Sequence, residues 1–269
     1  MTLKKLNFKK LTSFFLAAIA VTMFNSCSEN DDQNANSAQL AIYMTDAPGD
    51  YDQVWVNVTD VQIKADASTS DEGWTSVGNV KTGMYDLLSL TGGVTELLAD
   101  VNVPAGPLGQ IRLVLGNDNT IVMDGQTFNL STPSAQQSGL KLQVNQNLEA
   151  GKRYEFLLDF NVDQSIVNTG NGGYILKPVI RLAAMEGTGI ITGIISPSLN
   201  QAVVRARNAA HDISAYTDAG GKFSLHGVPA GTYQVTVTSD PASGIPVKTV
   251  SNVIVASGAT VNLETVFLQ

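Results

Sequence analysis

Val54, Val56 and Val58 alternate with Trp55, Asn57 and Thr59, the period-two pattern of a strand with one buried face. Val61 and Ile63 resume the alternation one step out of phase, which predicts a bulge at Thr59-Asp60. Ile111, Leu113 and Leu115 alternate with Arg112 and Val114 in the same way. The runs 121–123 and 126–130 are joined by Asp124-Gly125, the positive-φ pair of a type I′ turn, and so predict a two-residue hairpin. Two further strands are expected over 154–160 and 174–182, with the turn-forming run from Asn168 to Gly173 between them. Helical signal is confined to short pieces at 85–90 and 94–98, each as readily a strand and turn or a single helical turn.

The texture changes at Met185-Glu186-Gly187. Beyond it, seven short apolar runs are expected as strands near 188–195, 202–208, 212–217, 222–228, 232–239, 248–255 and 260–268. Ser196-Pro197, Asp218 to Gly221, Pro229 to Gly231 and Ser257-Gly258 punctuate them. Seven strands at such spacing predict a small β-sandwich. The whole chain therefore reads as all-β, with a β-sandwich-like domain over 39–186 and a second sandwich over 187–269.

The N-terminus has a different grammar. Lys4, Lys5, Lys9 and Lys10 precede an apolar stretch from Leu11 to Phe24, shorter than the roughly 20 residues a spanning helix needs. This is a secretion signal, removed before folding. Asn25-Ser26 then leads into Cys27, the only cysteine of the chain, with no A-x-A cleavage site before it. The pattern resembles the lipobox of bacterial lipoproteins, which implies a signal peptide over 1–26 and lipid attachment at Cys27. Residues 27–38 contain Glu29, Asp31 and Asp32 but almost no apolar side chain, and read as an acidic tether. Acids this close to the cysteine resemble the signal that sends some lipoproteins to the cell surface; a plain solvated linker has the same composition.

Cleavage would remove four lysines and no acid, leaving 12 Lys and Arg against 24 Asp and Glu. The excess is local: residues 187–269 hold four of each sign. Such a field repels phosphate backbones and makes nucleic acid an unsuitable partner. A lone cysteine excludes an internal disulfide.

Several runs carry a family resemblance. Tyr43 to Tyr51 (YMTDAPGDY), Val54 to Val61, Gly73-Trp74, Asp86 to Leu90, Gly109 to Leu113, Thr132 to Leu142, Leu158 to Val167 and Tyr174 to Arg181 closely resemble the lipoprotein domain-of-unknown-function family 4382. That resemblance implies a mostly β fold on an envelope lipoprotein and brings no activity with it. In the second part, Gly189-x-Ile191-x-Gly193, Ala202 to Val204, Thr217 to Phe223 and Gly227 to Tyr233 resemble the carboxypeptidase regulatory-like domain. It is a prealbumin-like sandwich grouped with carbohydrate-binding-like folds, which is fold analogy and not function. The residue types in its central motif are those that turns demand.

Candidate chemistry is sparse. His211 and His226 lie without metal-ligand spacing and read as surface histidines. Ser138-Gly139-Leu140-Lys141 and Lys81-Thr82-Gly83 match two penicillin-recognising signatures, but in the reverse order and without the third. Trp55, Trp74, Tyr51 and Tyr85 read as packing before platform. The acids are the better lead. Asp46, Asp50 and Asp52 cluster in a Pro/Gly turn, and Asp159 and Asp163 flank another. A weak calcium site built on Asp46 and Asp163 is one expectation, with the other three as lesser ligands; turn capping is the other. No other cofactor is expected.

These observations point to a non-catalytic envelope protein, lipid-anchored in the outer membrane at the cell surface and acting there as a binding module. Carbohydrate is its expected ligand class on fold analogy; the alternative is a structural or adhesin-like module that binds other envelope proteins. Substituting Cys27→Ala should abolish acyl labelling and release the protein from membranes. A variant that still carries label and sediments with the outer membrane would contradict the lipobox reading.

Overall fold

The computed structural model describes residues 36–47, 49–91, 93–132, 139–199, 202–239 and 243–268. Cys27 and the segment expected to hold the signal peptide and lipobox lie outside them, as does Ser138.

The strands of the first part are β1 (Ser37–Ala47), β2 (Gln53–Lys64), β3 (Thr75–Ser76), β4 (Gly83–Asp86), β5 (Glu96–Pro104), β6 (Gly106–Leu115) and β7 (Thr120–Met123). They continue with β8 (Gln126–Ser131), β9 (Leu140–Leu148), β10 (Arg153–Asn161), β11 (Ile166–Asn168), β12 (Tyr174–Leu176) and β13 (Ile180–Ala184). One 3-10 turn (Leu87–Leu90) and one four-residue helix, α1 (Val162–Ser165), interrupt them. The second part follows with β14 (Thr188–Ser196), β15 (Val203–Arg207), β16 (Asp212–Tyr216), β17 (Lys222–Pro229), β18 (Gly231–Thr238), β19 (Lys248–Val255) and β20 (Thr260–Phe267).

β13-β10-β1-β5 form one sheet. A nine-stranded sheet runs β11-β12-β8-β7-β2-β6-β9, with β3 and β4 also on β2. Leu40, Ile42, Met44, Leu158 and Phe160 from the first sheet meet Val54, Val56, Val58, Ile111 and Leu113 from the second in one dry core. The bulge expected at Thr59-Asp60 is present: the register of β2 on β6 slips between Val58 and Asp60. That slip returns Val61 to the core face, where it is fully buried. The hairpin at Asp124-Gly125 also forms, with φ of 50° and 71°. The expected strand over 174–182 is split, because Pro178 has no N–H for a ladder and β12 ends at Leu176. Of the two forms expected for 94–98 the strand is present, since β5 begins at Glu96.

The second part has its own core of Ile191, Val204, Phe223, Tyr233, Val235 and their neighbours. It lies between a three-stranded sheet, β17-β14-β20, and a four-stranded sheet, β16-β15-β18-β19. The strand positions follow the alternation seen in the sequence. In β17, Phe223 and Leu225 point inward, which leaves Ser224 and His226 on the outward face.

Asn119 ties three segments of the first part together while wholly buried. Its Oδ1 accepts the Asn57 amide at 2.8 Å, and its Nδ2 donates to Gly116 O at 2.8 Å and Thr132 Oγ1 at 2.9 Å. Truncation would leave the partly buried Asn57 amide and Gly116 carbonyl without this partner. Asn119→Ala should therefore lose about 3 kcal/mol of unfolding free energy in urea titration. A loss below roughly 0.5 kcal/mol would show that those groups find other partners.

Candidate functional site

The parallel ladder of β1 on β10 sets Thr45 opposite Asp159, and the antiparallel ladder of β10 on β13 sets Asp159 opposite Arg181. Because side chains alternate across a sheet, all three project from the face turned away from the main core. The next row on that face carries Leu157 and Ala183, buried at 0% and 7% exposure. Their cover comes from the second part. The Cα of Gly227 lies so near this face that a Cβ there would stand 2.5 Å from Ala183 Cβ, and its φ of +63° also suits glycine.

Polar contacts seal the same junction. Arg181 donates from Nε at 3.1 Å and Nη2 at 2.8 Å to Asp159 Oδ2, and from Nη2 at 3.0 Å to the carbonyl of His226. Ser224 Oγ and His226 Nε2 are 3.0 Å apart. Thr45 Oγ1 contacts the carbonyls of Leu90 at 2.9 Å and Val94 at 2.7 Å, which fixes the segment carrying Gly93 against Ser224 and His226. Burial raises the Asp159 carboxyl above its usual range, opposed by the Arg181 charge beside it. Burial likewise lowers the His226 imidazole, opposed by Asp159. The expectation of a surface histidine therefore holds for His211, which is exposed, and fails for His226.

Beside this node is an open cleft of about 260 Å³. Asn161, Gln164 and Arg181 line it from the first part, and Asp212, Ser214 and Tyr216 from β16 of the second. A second hollow of about 430 Å³ lies along the junction, lined by Arg181, Thr188, His211 and Asp212 among others. Arg181 borders both. The first cleft thus offers planar amides, a carboxylate, a guanidinium, a hydroxyl and one half-buried ring. That set suits recognition of a polar ligand with an apolar face.

The acids of the sequence fall around this junction without converging. Asp46 ends β1 at 5% exposure, and its Oδ1 accepts the Val162 amide at 3.3 Å. Asp163 is in the first turn of α1 and exposed. Its charge, after burial, raises the phenol of Tyr51 from the first part and of Tyr216 from the second. Asp52 Oδ2 accepts the Gly125 amide at 2.9 Å and so braces the hairpin. Asp159 is within a strand, not a turn, and pairs with Arg181. Among the described residues no group of three or more His, Cys, Asp or Glu side chains could hold a metal ion. The geometry thus spends Asp46, Asp52 and Asp159 on protein donors, as turn capping and ion pairing require.

The remaining candidates also have structural roles. Trp74 is covered by the Arg112 guanidinium 4.4 Å from its centroid and by Lys64 Nζ at 5.9 Å. Trp55 is half-buried in β2, and Tyr85 donates to Lys81 O at 2.6 Å. Lys141 pairs with Asp71 at 2.7 Å and Lys81 with Glu96 at 3.5 Å. Sequence reasoning missed Arg181, Tyr216, Gln164 and the role of His226. Only the outward phase of His226 in its strand was there to be read.

Melting with chelator and with millimolar calcium should give equal midpoints, since the acids nearest the junction already have partners. A site filled at a hundredfold excess over its Kd would instead add about 2.7 kcal/mol. A midpoint raised by calcium would return Asp46 and Asp163 to the role of ligands.

Comparison with known proteins adds one firm result. No curated protein matches the chain. Among solved structures, a type II cohesin–X-dockerin complex from Acetivibrio cellulolyticus aligns over 29% of this chain and 52% of its own, at 26% identity and a TM-score of 0.23. This chain thus spans about half of that one. The TIE protein of Bacillus anthracis aligns over 86% of this chain and 34% of its own, at 12% identity and a TM-score of 0.24. The minor pilin of Streptococcus agalactiae aligns over 86% and 95%, at 11% identity and a TM-score of 0.24. None of the three superposes on this chain as a whole. The family model for the domain of unknown function DUF4382 matches residues 37–178, the segment that carries β1 to β12 and Asp159, and with it this chain belongs to the DUF4382 family.

Proposed function

We propose that this protein is a lipid-anchored, non-catalytic envelope protein that binds carbohydrate in the cleft between its two β-domains. The observation that carries the reading is the lining of that cleft. Asn161, Gln164, Asp212 and Ser214 offer donors and acceptors around Arg181, and Tyr216 supplies a ring on which a sugar face can stack. Hydroxyl-rich ligands are recognised by such planar hydrogen-bonding groups combined with an apolar platform. The acidic surface favours a neutral sugar over a polyanion. The carboxypeptidase regulatory-like resemblance of 187–269, a carbohydrate-binding-like fold, supports the same ligand class. The lipobox resemblance at Cys27 supports anchoring in the outer membrane with the domains at the cell surface. Among the described residues no helix is long and apolar enough to cross a membrane.

A second reading, an adhesin-like module that binds other envelope proteins, draws support from the second domain. Ile194 and Phe267 are 47% and 62% exposed on the outward side of the three-stranded sheet, close together across β14 and β20.

Glycan-array screening of the mature protein, followed by calorimetry on the best sugar, separates the two. Tyr216→Ala and Gln164→Ala should each weaken binding about tenfold, equivalent to 1.4 kcal/mol, at unchanged melting temperature. Absence of binding to any glycan, with binding to a second envelope protein lost in Phe267→Ser, would replace the first reading by the second.

A further inference from the structure

We propose that His226 makes the contact between the two domains pH-sensitive: its neutral ring holds them together and its protonation releases them. The proposal stands on the junction itself and does not depend on what the cleft binds.

The ring is placed so that its neutral form fits better than its charged form. Nε2 is 3.0 Å from Ser224 Oγ, while Nδ1 is buried and has no hydrogen-bond partner among the described residues. A neutral imidazole carries one N–H and can leave its other nitrogen bare. An imidazolium carries two, and the second would be buried without an acceptor. The backbone leaves little room for adjustment, since a Cβ on Gly93 would come within 3.2 Å of Nε2 and 2.5 Å of Ser224 Cβ.

Charged and titratable groups face this spot from each packed element. β13 contributes Arg181, whose Nη2 holds the His226 carbonyl and whose charge repels an imidazolium. β10 contributes Asp159, which attracts it but is already bound to Arg181. β1 contributes Asp46, engaged with the Val162 amide. β16 contributes Tyr216, and Lys222 at the start of β17 is exposed. Burial, with the Arg181 charge, outweighs the Asp159 attraction and the hydrogen bond to the Gly93 backbone, which both favour the charged ring, so the closed ring titrates below the ordinary imidazole value of about 6.5.

The sign follows from linkage. Above about pH 6.5 the ring is neutral whether the domains touch or not, and the contact keeps its full strength. Below it, the separated form binds a proton that the closed form refuses, so the closed form loses ground as pH falls. Each unit between the two ring pKa values shifts the equilibrium tenfold. Asp159 acts in the opposite direction at lower pH, because burial raises its carboxyl and the closed form takes that proton sooner. The loss is therefore greatest between neutrality and the carboxylate range.

Small-angle scattering of the mature chain carrying Cys27→Ala tests this at pH 7.5 and 5.5. The radius of gyration should rise reversibly on acidification, with unchanged far-ultraviolet circular dichroism, and the rise should vanish in His226→Gln. Nuclear magnetic resonance of the His226 ring in the unsubstituted protein gives a second readout. His226 should titrate below the ordinary imidazole value of about 6.5. A radius that does not change with pH, the same rise in His226→Gln, or a His226 that titrates at or above that value would each overturn the proposal.

Discussion

The parallel pairing of β1 with β10 is the constraint on which the rest of the molecule depends. It brings residues 39–47 beside 153–161, more than a hundred positions away in the chain. The inward row of that ladder, Leu40, Ile42, Met44, Leu158 and Phe160, lies in the main core. The outward row sets Thr45 beside Asp159, and the next strand adds Arg181. One register thus fixes both the hydrophobic interior and the polar node on its back. A slip by one residue would exchange the two faces, placing Asp159 in the core and Phe160 outside.

The polar node matters because it is half dry. Exposed ion pairs contribute little, but Asp159 keeps only 16% of its side-chain surface and Arg181 33%. Removing one partner from a pair in such surroundings leaves a charge that water reaches poorly. Arg181 is shared further: it also holds the His226 carbonyl of the second domain and borders both hollows along the junction. A single guanidinium therefore joins the sheet, the domain contact and the proposed site. The close approach of Gly227 to Ala183 lets the backbone of β17 come near enough for those hydrogen bonds to form.

Much of the strand content was legible because it depends on local pattern. Alternation located β2, its bulge and the β7–β8 hairpin, and turn residues bracketed the seven strands of the second domain within a few positions. β1 was not read as a strand. It is buried on both faces in its middle, so Ala38 to Thr45 shows a nearly continuous apolar run without alternation. The break of the 174–182 run at Pro178 was readable in principle, since proline cannot serve a ladder there.

The candidate site was far less legible, for a physical reason. Alternation, turn residues and composition determined, by themselves, an all-β chain with two regions of different charge. They are properties of residues and their immediate neighbours. Which carboxylates meet which cations is set by strand order and register, and those depend on the combined burial of many side chains. Asp159 looked like a turn acid and proved to be a strand residue paired with Arg181. His226 had the outward phase of a surface residue, and tertiary structure alone covered that surface with the other domain. Desolvation at such a contact depends on what packs from outside the strand, and a strand's own sequence carries no record of it.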